Sequence, residues 1–383
     1  MPKTVIFRCV SLSLQGGTVS AELLHYCQSL RSDVFPEGLQ PDWLQIRGPV
    51  IHVQLPFPAA PALRALVKRD RMLSAYQWDI KHNVVPLPIE RRPDLQGAEA
   101  KPLQRGVKNV IAIASGKGGV GKSAVTLGLA NALSQLGARV GILDGDIYGP
   151  SLPTMLGNVD SKLTFTPNRK MLPVRSFGLE GNSLGYLSDP DDATIWRGPM
   201  ASRALEQLFF DTQWSDLDYL FIDMPPGTGD LQLTLAQKLP VTAAVVVTTP
   251  QNIALADAQK GIRMFRKVGV PVIGIIENMS HYACSACGHE EAIFGEGGGV
   301  FLGDQHSVPV LGHWPLHVGL RRALDNGQDL NRVLDGDSIL TTQQDTAQLL
   351  VANLWSLLHD EITPLVSSQP SQAKHANSKP SKE

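Results

Sequence analysis

The sequence predicts an α/β protein in which a domain built on a parallel sheet is preceded by a small α+β domain. Three observations predict this fold. From residue 107 onward, apolar segments of strand length alternate with segments of helical periodicity, which is typical of a parallel sheet covered by helices on both faces. A glycine-rich loop joins the first strand of this series to its first helix. Before residue 95, one helical segment lies between two segments that alternate like strands, which fits a small separate domain.

The first strand of the series is predicted at 107–114 and the first helix at 123–136. The loop between them fits G-x-x-x-x-G-K-[ST], the P-loop pattern that binds phosphates. Its glycines let the backbone approach phosphates, and its N–H groups form an anion-binding nest at a helix start. Lys122 is predicted to contact the β- and γ-phosphates, and Ser123 to bind Mg²⁺. The predicted nucleotide-binding residues of the loop are Gly116, Lys117, Gly118, Gly119, Val120, Gly121, Lys122 and Ser123.

Further strands of the sheet are predicted from apolar segments later in the chain. The strands span 138–144, 218–223, 243–249, 270–276 and 308–312, with helices at 200–214 and 257–268. Ligands of such sheets bind at the carboxyl ends of the strands. The polar residues at the ends of these strands are therefore the candidates for a binding site.

Two of the predicted strands end in acidic residues. Asp223 precedes a glycine-rich loop, so we expect it to hold Mg²⁺ or its water; the alternative is an aspartate that caps a turn. Asp144 and Asp146 flank Gly145, and both could face the phosphates because alternate residues share a face. We predict that Asp146 orients the attacking water, with Asp144 as a second candidate. The alternative is that both residues cap turns.

A second lysine, Lys117, follows the first glycine of the loop, although the general motif does not require it. Lys117 could be a solvated surface residue. It could also reach the phosphates bound by a neighbouring subunit, as an arginine finger supplied in trans does. The candidate catalytic residues are therefore Lys117, Lys122, Asp146 and Asp223.

Cys284 and Cys287 form a C-x-x-C motif after the strand 270–276. Two thiolates at this spacing can bind one metal, but a structural zinc site or an iron–sulfur cluster normally has four ligands. His281 and His289 flank the pair, so the residues alone slightly favour a Cys₂His₂ zinc site within one chain. A redox pair fits less well, because such a pair opens a helix. A cluster shared across a two-fold axis, with two cysteines from each chain, is a further option.

Together these residues resemble the Mrp/ApbC family of iron–sulfur cluster carriers, within the deviant P-loop ATPases that include MinD and nitrogenase iron protein. The resemblance covers about residues 107–330 and rests on ordered blocks of sequence. The blocks are Gly-Lys-Gly-Gly-Val-Gly-Lys-Ser at 116–123, Leu-Asp-Gly-Asp-Ile-Tyr-Gly-Pro-Ser at 143–151, Trp-Arg-Gly-Pro-Met at 196–200, Asp-Met-Pro-Pro-Gly-Thr-Gly-Asp at 223–230, Thr-Thr-Pro-Gln at 248–251, Glu-Asn-Met-Ser at 277–280 with the Cys-x-x-Cys-Gly after it, and Pro-Leu-His at 315–317.

The resemblance implies that the cofactors are ATP, Mg²⁺ and a [4Fe–4S] cluster. It implies that Lys117 contacts phosphate across a nucleotide-sandwich dimer, that Asp146 lies in the first switch and that Asp223 opens the second. It also implies that Asn278 reads the adenine base. The expected protein is therefore a homodimer.

The resemblance further implies that Cys284 and Cys287 bind a bridging [4Fe–4S] cluster with the same cysteines of a second copy, which replaces the zinc preference. The predicted function is an ATPase that carries a [4Fe–4S] cluster and transfers it to apo-proteins. The alternative is a MinD/ParA-like positioning ATPase with a structural zinc. The balance of 34 basic and 36 acidic residues gives a net charge of −2, so neither nucleic acid nor a membrane is a predicted partner.

The domain boundaries follow from composition. We predict an N-terminal α+β domain at 1–95, which loosely resembles the degenerate MIP18-like domain of bacterial relatives, and a linker at 96–106. The ATPase domain is expected at 107–362, and a polar, disordered tail at 363–383. The sequence shows no bilayer-spanning apolar run or signal peptide, and its four cysteines make no disulfide scaffold, so a cytoplasmic location is expected.

Overall fold

The computed structural model describes residues 19–86, 104–147, 149–187 and 198–357. Within these residues lie a sheet of three strands early in the chain and a sheet of eight strands after it. The predicted α/β fold, with a largely parallel sheet after a smaller sheet region, is confirmed. The predicted tail lies outside the described residues, as does most of the predicted linker.

The smaller sheet follows helix α1 (Val19–Ser29) and consists of β1 (Leu44–Arg47), β2 (Val50–Leu55) and β3 (Gln77–His82). β1 and β2 are antiparallel, whereas β2 and β3 are parallel. Parallel neighbours need a crossover connection, and helix α2 (Ala60–Arg69) provides it. Helix α2 buries its apolar side in the core beneath the sheet.

The larger sheet is formed by eight strands that are separated along the chain by helices and loops. They are β4 (Val107–Ser115), β5 (Val140–Asp144), β8 (Val174–Ser176), β9 (Leu179–Ser183), β10 (Leu217–Asp223), β11 (Ala243–Thr248), β12 (Val272–Asn278) and β15 (Val310–Trp314). Their order in the sheet is β15-β12-β11-β4-β10-β5-β9-β8. Every neighbouring pair is parallel except β8 and β9. Two short hairpins lie outside this sheet, β6 (Thr164–Phe165) with β7 (Met171–Leu172) and β13 (Tyr282–Ala283) with β14 (Glu290–Glu291).

Helices connect these strands or follow the last of them, β15. They are α3 (Lys122–Gln135), α4 (Leu152–Met155), α5 (Gly198–Asp211), α6 (Asp230–Lys238), α7 (Asn252–Lys267), α8 (Gly298–His306), α9 (Val318–Asp325), α10 (Leu330–Val333) and α11 (Ser338–Ser356). Strand β4 shows why the central strands contain uninterrupted apolar runs, here 110–114. Ile111 and Ile113 belong to the core on the side of α3 and α11, whereas Val110 and Ala112 belong to the core on the side of α5 and α6.

The order of the strands places the site. β4 lies between β11 and β10, and β5 lies beyond β10, so four carboxyl ends meet at one edge. At this edge the P-loop follows β4, Asp223 is the last residue of β10, and Asp144 is the last residue of β5. In the described part of the chain, no helix combines the length and the hydrophobicity that crossing a bilayer requires.

Candidate functional site

Close approach to neighbouring groups explains two glycines of the P-loop. A Cβ on Gly116 would lie 2.1 Å from the carbonyl carbon of Asp257, and a Cβ on Gly121 would lie 2.2 Å from Nδ2 of Asn278. Gly121 also has a φ of +81°, in the region that disfavours L side chains, and it precedes the first residue of α3. The loop is therefore held against α7 at its start and against the end of β12 at its close.

The side chains at the start of α3 converge on Asp223. Lys122 Nζ lies 2.6 Å from Asp223 Oδ1, and Ser123 Oγ donates to Oδ2 at 2.5 Å. Thr126 Oγ1 donates to Oδ1 at 2.9 Å. The sequence predicted Lys122 and Ser123 from the motif and Asp223 from its place at a strand end, and the structure adds Thr126. Its position one helical turn after Lys122 was the available signal, because residues four apart share a face of a helix.

This cluster is buried, with Lys122 6% and Asp223 3% exposed. A buried ammonium and carboxylate are tolerated because each has a partner of opposite charge. The adjacent oxygens of Ser123 and Asp223 are the hydroxyl and carboxylate ligands that Mg²⁺ accepts, so the donor set fits this ion. The ammonium of Lys122 beside them fits a bound phosphate.

Asp144 is engaged by its own loop. Its oxygens accept hydrogen bonds from the backbone N–H of Asp146 and Leu152, each at 3.1 Å, and from Ser183 Oγ at 3.0 Å. Burial and the nearby charge of Asp223 raise the pKa of Asp144 to about 7. Asp144 thus caps the turn between β5 and α4, which is the alternative that the sequence left open. Asp146 is half-buried and lines the cavity described next.

A cavity of about 690 Å³ lies over the P-loop. That volume falls within the range of small-molecule and cofactor sites. Lys117, Asp146, Asn278 and the segment 315–317 are among the residues that line it. Asn278 is buried, and its Nδ2 donates to Val120 O at 2.8 Å. The structure thus brings together the P-loop, both lysines, Asp146 and Asn278 around one cavity, with Asp223 hydrogen-bonded to two of the loop's side chains.

Cys284 and Cys287 lie at the tip of the β13–β14 hairpin. The backbone N–H of Cys284 donates to His289 O at 2.9 Å, and the N–H of Gly288 donates to Cys284 O at 2.8 Å. The Cys284 thiol is half-buried and that of Cys287 is exposed. The amides of Ala286 and Cys287, followed by the Cys287 thiol, hold the pKa of Cys284 below its usual value.

The residues that the structure describes contain no group of three or more His, Cys, Asp or Glu side chains placed to hold a metal ion. His281 and His289 therefore do not complete a four-ligand site with the two cysteines. Instead, the ring Nδ1 of His281 lies 3.0 Å from Ser280 Oγ. The zinc site that the residues alone slightly favoured is not assembled within the described chain.

Comparison with known proteins adds a family and relatives. The family model described as ParA, NUBPL iron-transfer P-loop NTPase, matches residues 106–352. The iron–sulfur cluster carrier protein of Haemophilus influenzae is 53% identical over 285 residues, which cover 72% of this chain and 75% of that protein. The protein of the same name from Escherichia coli K12 is 56% identical over 254 residues, 66% of each chain. Among solved structures, a nucleotide-binding protein from Archaeoglobus fulgidus in complex with ADP matches with a TM-score of 0.53 and 34% identity, over 58% of this chain and 88% of that one.

Proposed function

The chain belongs to the ParA family of NUBPL-type iron-transfer P-loop NTPases, and on this premise we propose that it is an ATP-hydrolysing carrier that binds a [4Fe–4S] cluster and transfers it to apo-proteins. One observation carries the proposal. The carboxyl edge of the larger sheet presents a P-loop bonded to Asp223 and, following β12 at the same edge, a hairpin with two accessible thiols. A nucleotide site and a thiolate site thus share one domain.

The proposal gives each polar residue of the nucleotide site a role. The P-loop amides and Lys122 hold the phosphates, and Ser123 and Asp223 hold Mg²⁺, which neutralises charge on the phosphates when it is bound. Asp146, on the wall of the cavity, orients the attacking water. Lys117 reaches the phosphates of a second copy, so that two chains close around the nucleotides. Hydrolysis here requires mainly positioning and charge neutralisation, which these residues supply.

The base is held by Asn278 and the segment 315–317, which line the same cavity. The amide of Asn278 offers both a donor and an acceptor for the edge of an adenine. In this structure its Nδ2 donates to Val120 O, which leaves Oδ1 as the acceptor for an amino group.

The thiols set the stoichiometry of the cargo. A [4Fe–4S] cluster takes four thiolates, and each hairpin supplies Cys284 and Cys287. Two copies related by a two-fold axis provide four, so we propose a homodimer with the cluster between the hairpins. The exposure of Cys287 allows the thiolates of an acceptor protein to replace those of the carrier, one ligand at a time.

Anaerobic reconstitution with iron and sulfide tests the proposal. We expect about four irons per two chains and a charge-transfer absorbance band. Cys284→Ala and Cys287→Ala should each abolish both, whereas Ser285→Ala, in the same hairpin, should retain them. Undiminished cluster binding by both cysteine variants would contradict the proposal.

The coupling of hydrolysis to transfer is tested separately. Lys122→Ala should lose ATP hydrolysis yet still load a cluster, and it should fail to activate an apo-protein acceptor. Lys117→Ala should lose ATP hydrolysis as well, and it should also fail to form the dimer that a non-hydrolysable ATP analogue induces, as measured by light scattering. Normal delivery by Lys122→Ala would show that transfer does not need hydrolysis.

A further inference from the structure

The chain between the P-loop contact and the first cysteine is short. Asn278, which donates to Val120 O, is the last residue of β12, and Cys284 lies six residues after it. A segment of that length spans at most about 20 Å. The thiol pair is therefore connected to the nucleotide cavity by one continuous piece of backbone, 278–283.

The first turn of this segment contacts the P-loop. Met279 has a φ of +56°, a left-handed conformation that is uncommon for a residue other than glycine, asparagine or aspartate. Its Cε lies 3.6 Å from the position that a Cβ on Gly121 would take, and Met279 lines the cavity beside Asn278. Such a backbone conformation persists only where the surroundings determine it. Here the P-loop is part of those surroundings.

The next two residues are bonded to the end of β15 and to the segment that follows it. Ser280 donates twice to Trp314 O, from its backbone N–H at 2.9 Å and from Oγ at 3.1 Å. Leu316 N donates to His281 O at 2.7 Å. Because Trp314 and Leu316 also line the cavity, the segment contacts two parts of its lining, the P-loop and 314–316.

The upstream end of the segment is fixed in place. Glu277 is buried, and its carboxylate accepts hydrogen bonds from the N–H of Gly299, in the first turn of α8, and from His313 Nδ1 at 3.0 Å. Strand β12 is thus tied to α8 and to β15. The upstream side of the segment is therefore held by bonds to two further elements, whereas the cysteine hairpin lies on its downstream side.

We propose that Met279 and Ser280 are positioning residues through which the nucleotide bound in the cavity sets the geometry and exposure of the Cys284 and Cys287 thiols. The proposal rests on the function proposed above for that cavity and that thiol pair, and it specifies how one site regulates the other. A nucleotide that binds to both the P-loop and the segment 315–317 moves these two parts of the cavity lining relative to each other. The turn at Met279 and the Ser280–Trp314 bonds convert that movement into a change of the hairpin.

Thiol labelling of the reduced, cluster-free protein tests this inference. The rates of alkylation of Cys284 and Cys287 are measured by peptide-resolved mass spectrometry, without nucleotide and with saturating MgADP or a non-hydrolysable ATP analogue. In the wild type we expect at least about a fivefold change in rate, the lower end of typical coupling between sites. Met279→Gly relaxes the turn and Ser280→Ala removes one bond to Trp314, so each should bring the ratio of rates toward one at saturating nucleotide.

Matched variants separate coupling from a general loss of structure. Arg169→Gly relaxes another non-glycine residue of positive φ, at +60°, in an exposed turn, and Ser356→Ala removes a serine bond to backbone in α11. Both should keep the wild-type ratio, and Ser280→Thr, which retains the hydroxyl, should restore it. A wild-type ratio of one under saturation, or the full ratio in both Met279→Gly and Ser280→Ala, would overturn the inference. Cluster binding is absent from this assay, so a failure of coupling and a failure of cluster binding are recorded independently.

Discussion

Two glycines of the P-loop share a backbone conformation but differ in their surroundings. Gly119 and Gly121 both have a φ of +81°, yet a Cβ on Gly119 would meet nothing within 4 Å, whereas one on Gly121 would lie 2.2 Å from Asn278 Nδ2. The pair therefore separates the cost of the left-handed conformation from the cost of the close contact.

Gly121→Ala should weaken nucleotide binding far more than Gly119→Ala. Each substitution places alanine in the left-handed region, at about 1 kcal/mol. Only Gly121→Ala also displaces the amide of Asn278, and we expect roughly a further tenfold loss of affinity, or about 1.4 kcal/mol, in titrations with MgADP. Equal affinities of the two variants would contradict the role of this contact. In an Asn278→Ala background, which lacks that amide, the extra loss of affinity in Gly121→Ala relative to Gly119→Ala should disappear.

The residues of the site differ in how far the sequence could specify them. The spacing within one loop predicted Lys122 and Ser123, because the P-loop motif encodes positions a few residues apart. The distant partners of Thr126 and Asp144 could not be predicted in this way. Thr126 donates a hydrogen bond to the carboxylate of Asp223, 97 residues away. Asp144 accepts a hydrogen bond from the hydroxyl of Ser183, 39 residues away. Both partners depend on which strands are neighbours, and no local pattern contains that order.

At the scale of elements, the amino edge of the sheet is held by one carboxylate. Asp218, near the start of β10, is bonded to Lys108 Nζ at 2.8 Å and to the backbone N–H of Arg139 at 2.9 Å. The guanidinium of Arg139 adds two longer contacts. Asp218 thereby joins β10 to β4 and to the residue before β5. Although burial acts to raise the pKa of Asp218, its bonds to Arg139 and Lys108 hold that pKa below its usual value.

Asp218→Asn should lower the free energy of unfolding at neutral pH and make it less dependent on pH under acidic conditions. A carboxyl whose pKa is lower in the folded protein stabilises it above the unfolded pKa, about 3.9, and this contribution is lost as the pH falls through the folded pKa. Because half-exposed Arg139 is screened by solvent, we expect a loss of about 2 kcal/mol at pH 7. Urea unfolding of both proteins between pH 7 and pH 3 measures it. A difference that stays constant down to pH 3 would exclude the linkage.

The sequence predicted the central elements better than those at the edge of the sheet. Strands β4, β10 and β11 each contain an apolar run, because helices cover both of their faces, and this run identifies them. Strand β9, with the sequence Leu-Glu-Gly-Asn-Ser, is fully buried and yet mostly polar. Its Glu180 is paired with Arg175 of β8 and its Asn182 with Thr212. Polarity that is satisfied by tertiary partners conceals such a strand from hydrophobic patterning.

At the scale of the whole molecule, the last helix joins the two sheets. Trp355 in α11 packs against Trp43 with ring centroids 5.1 Å apart, and against Phe57 at 5.9 Å. Gln348, two turns earlier, accepts a hydrogen bond from the backbone N–H of Ala62 at 2.9 Å. Residues that are 286 positions apart in sequence thus meet, and composition alone gave no sign of this contact. The same helix packs on α3, which begins at the P-loop.

Trp355→Ala should loosen the smaller sheet while leaving the nucleotide site intact. Removing a large aromatic side chain from such a cluster costs about 3 kcal/mol, and the loss falls on the contact with Trp43 and Phe57. We expect faster amide exchange throughout 44–82, unchanged exchange in β4, and ATP hydrolysis near that of the wild type. Val333→Ala, at an exposed position, serves as the control. If exchange in 44–82 stays unchanged, the smaller sheet is stable without α11. If ATP hydrolysis falls in Trp355→Ala as amide exchange in 44–82 becomes faster, the effect of the contact is transmitted through α11 and α3 to the P-loop. The early part of the chain then takes part in the nucleotide cycle.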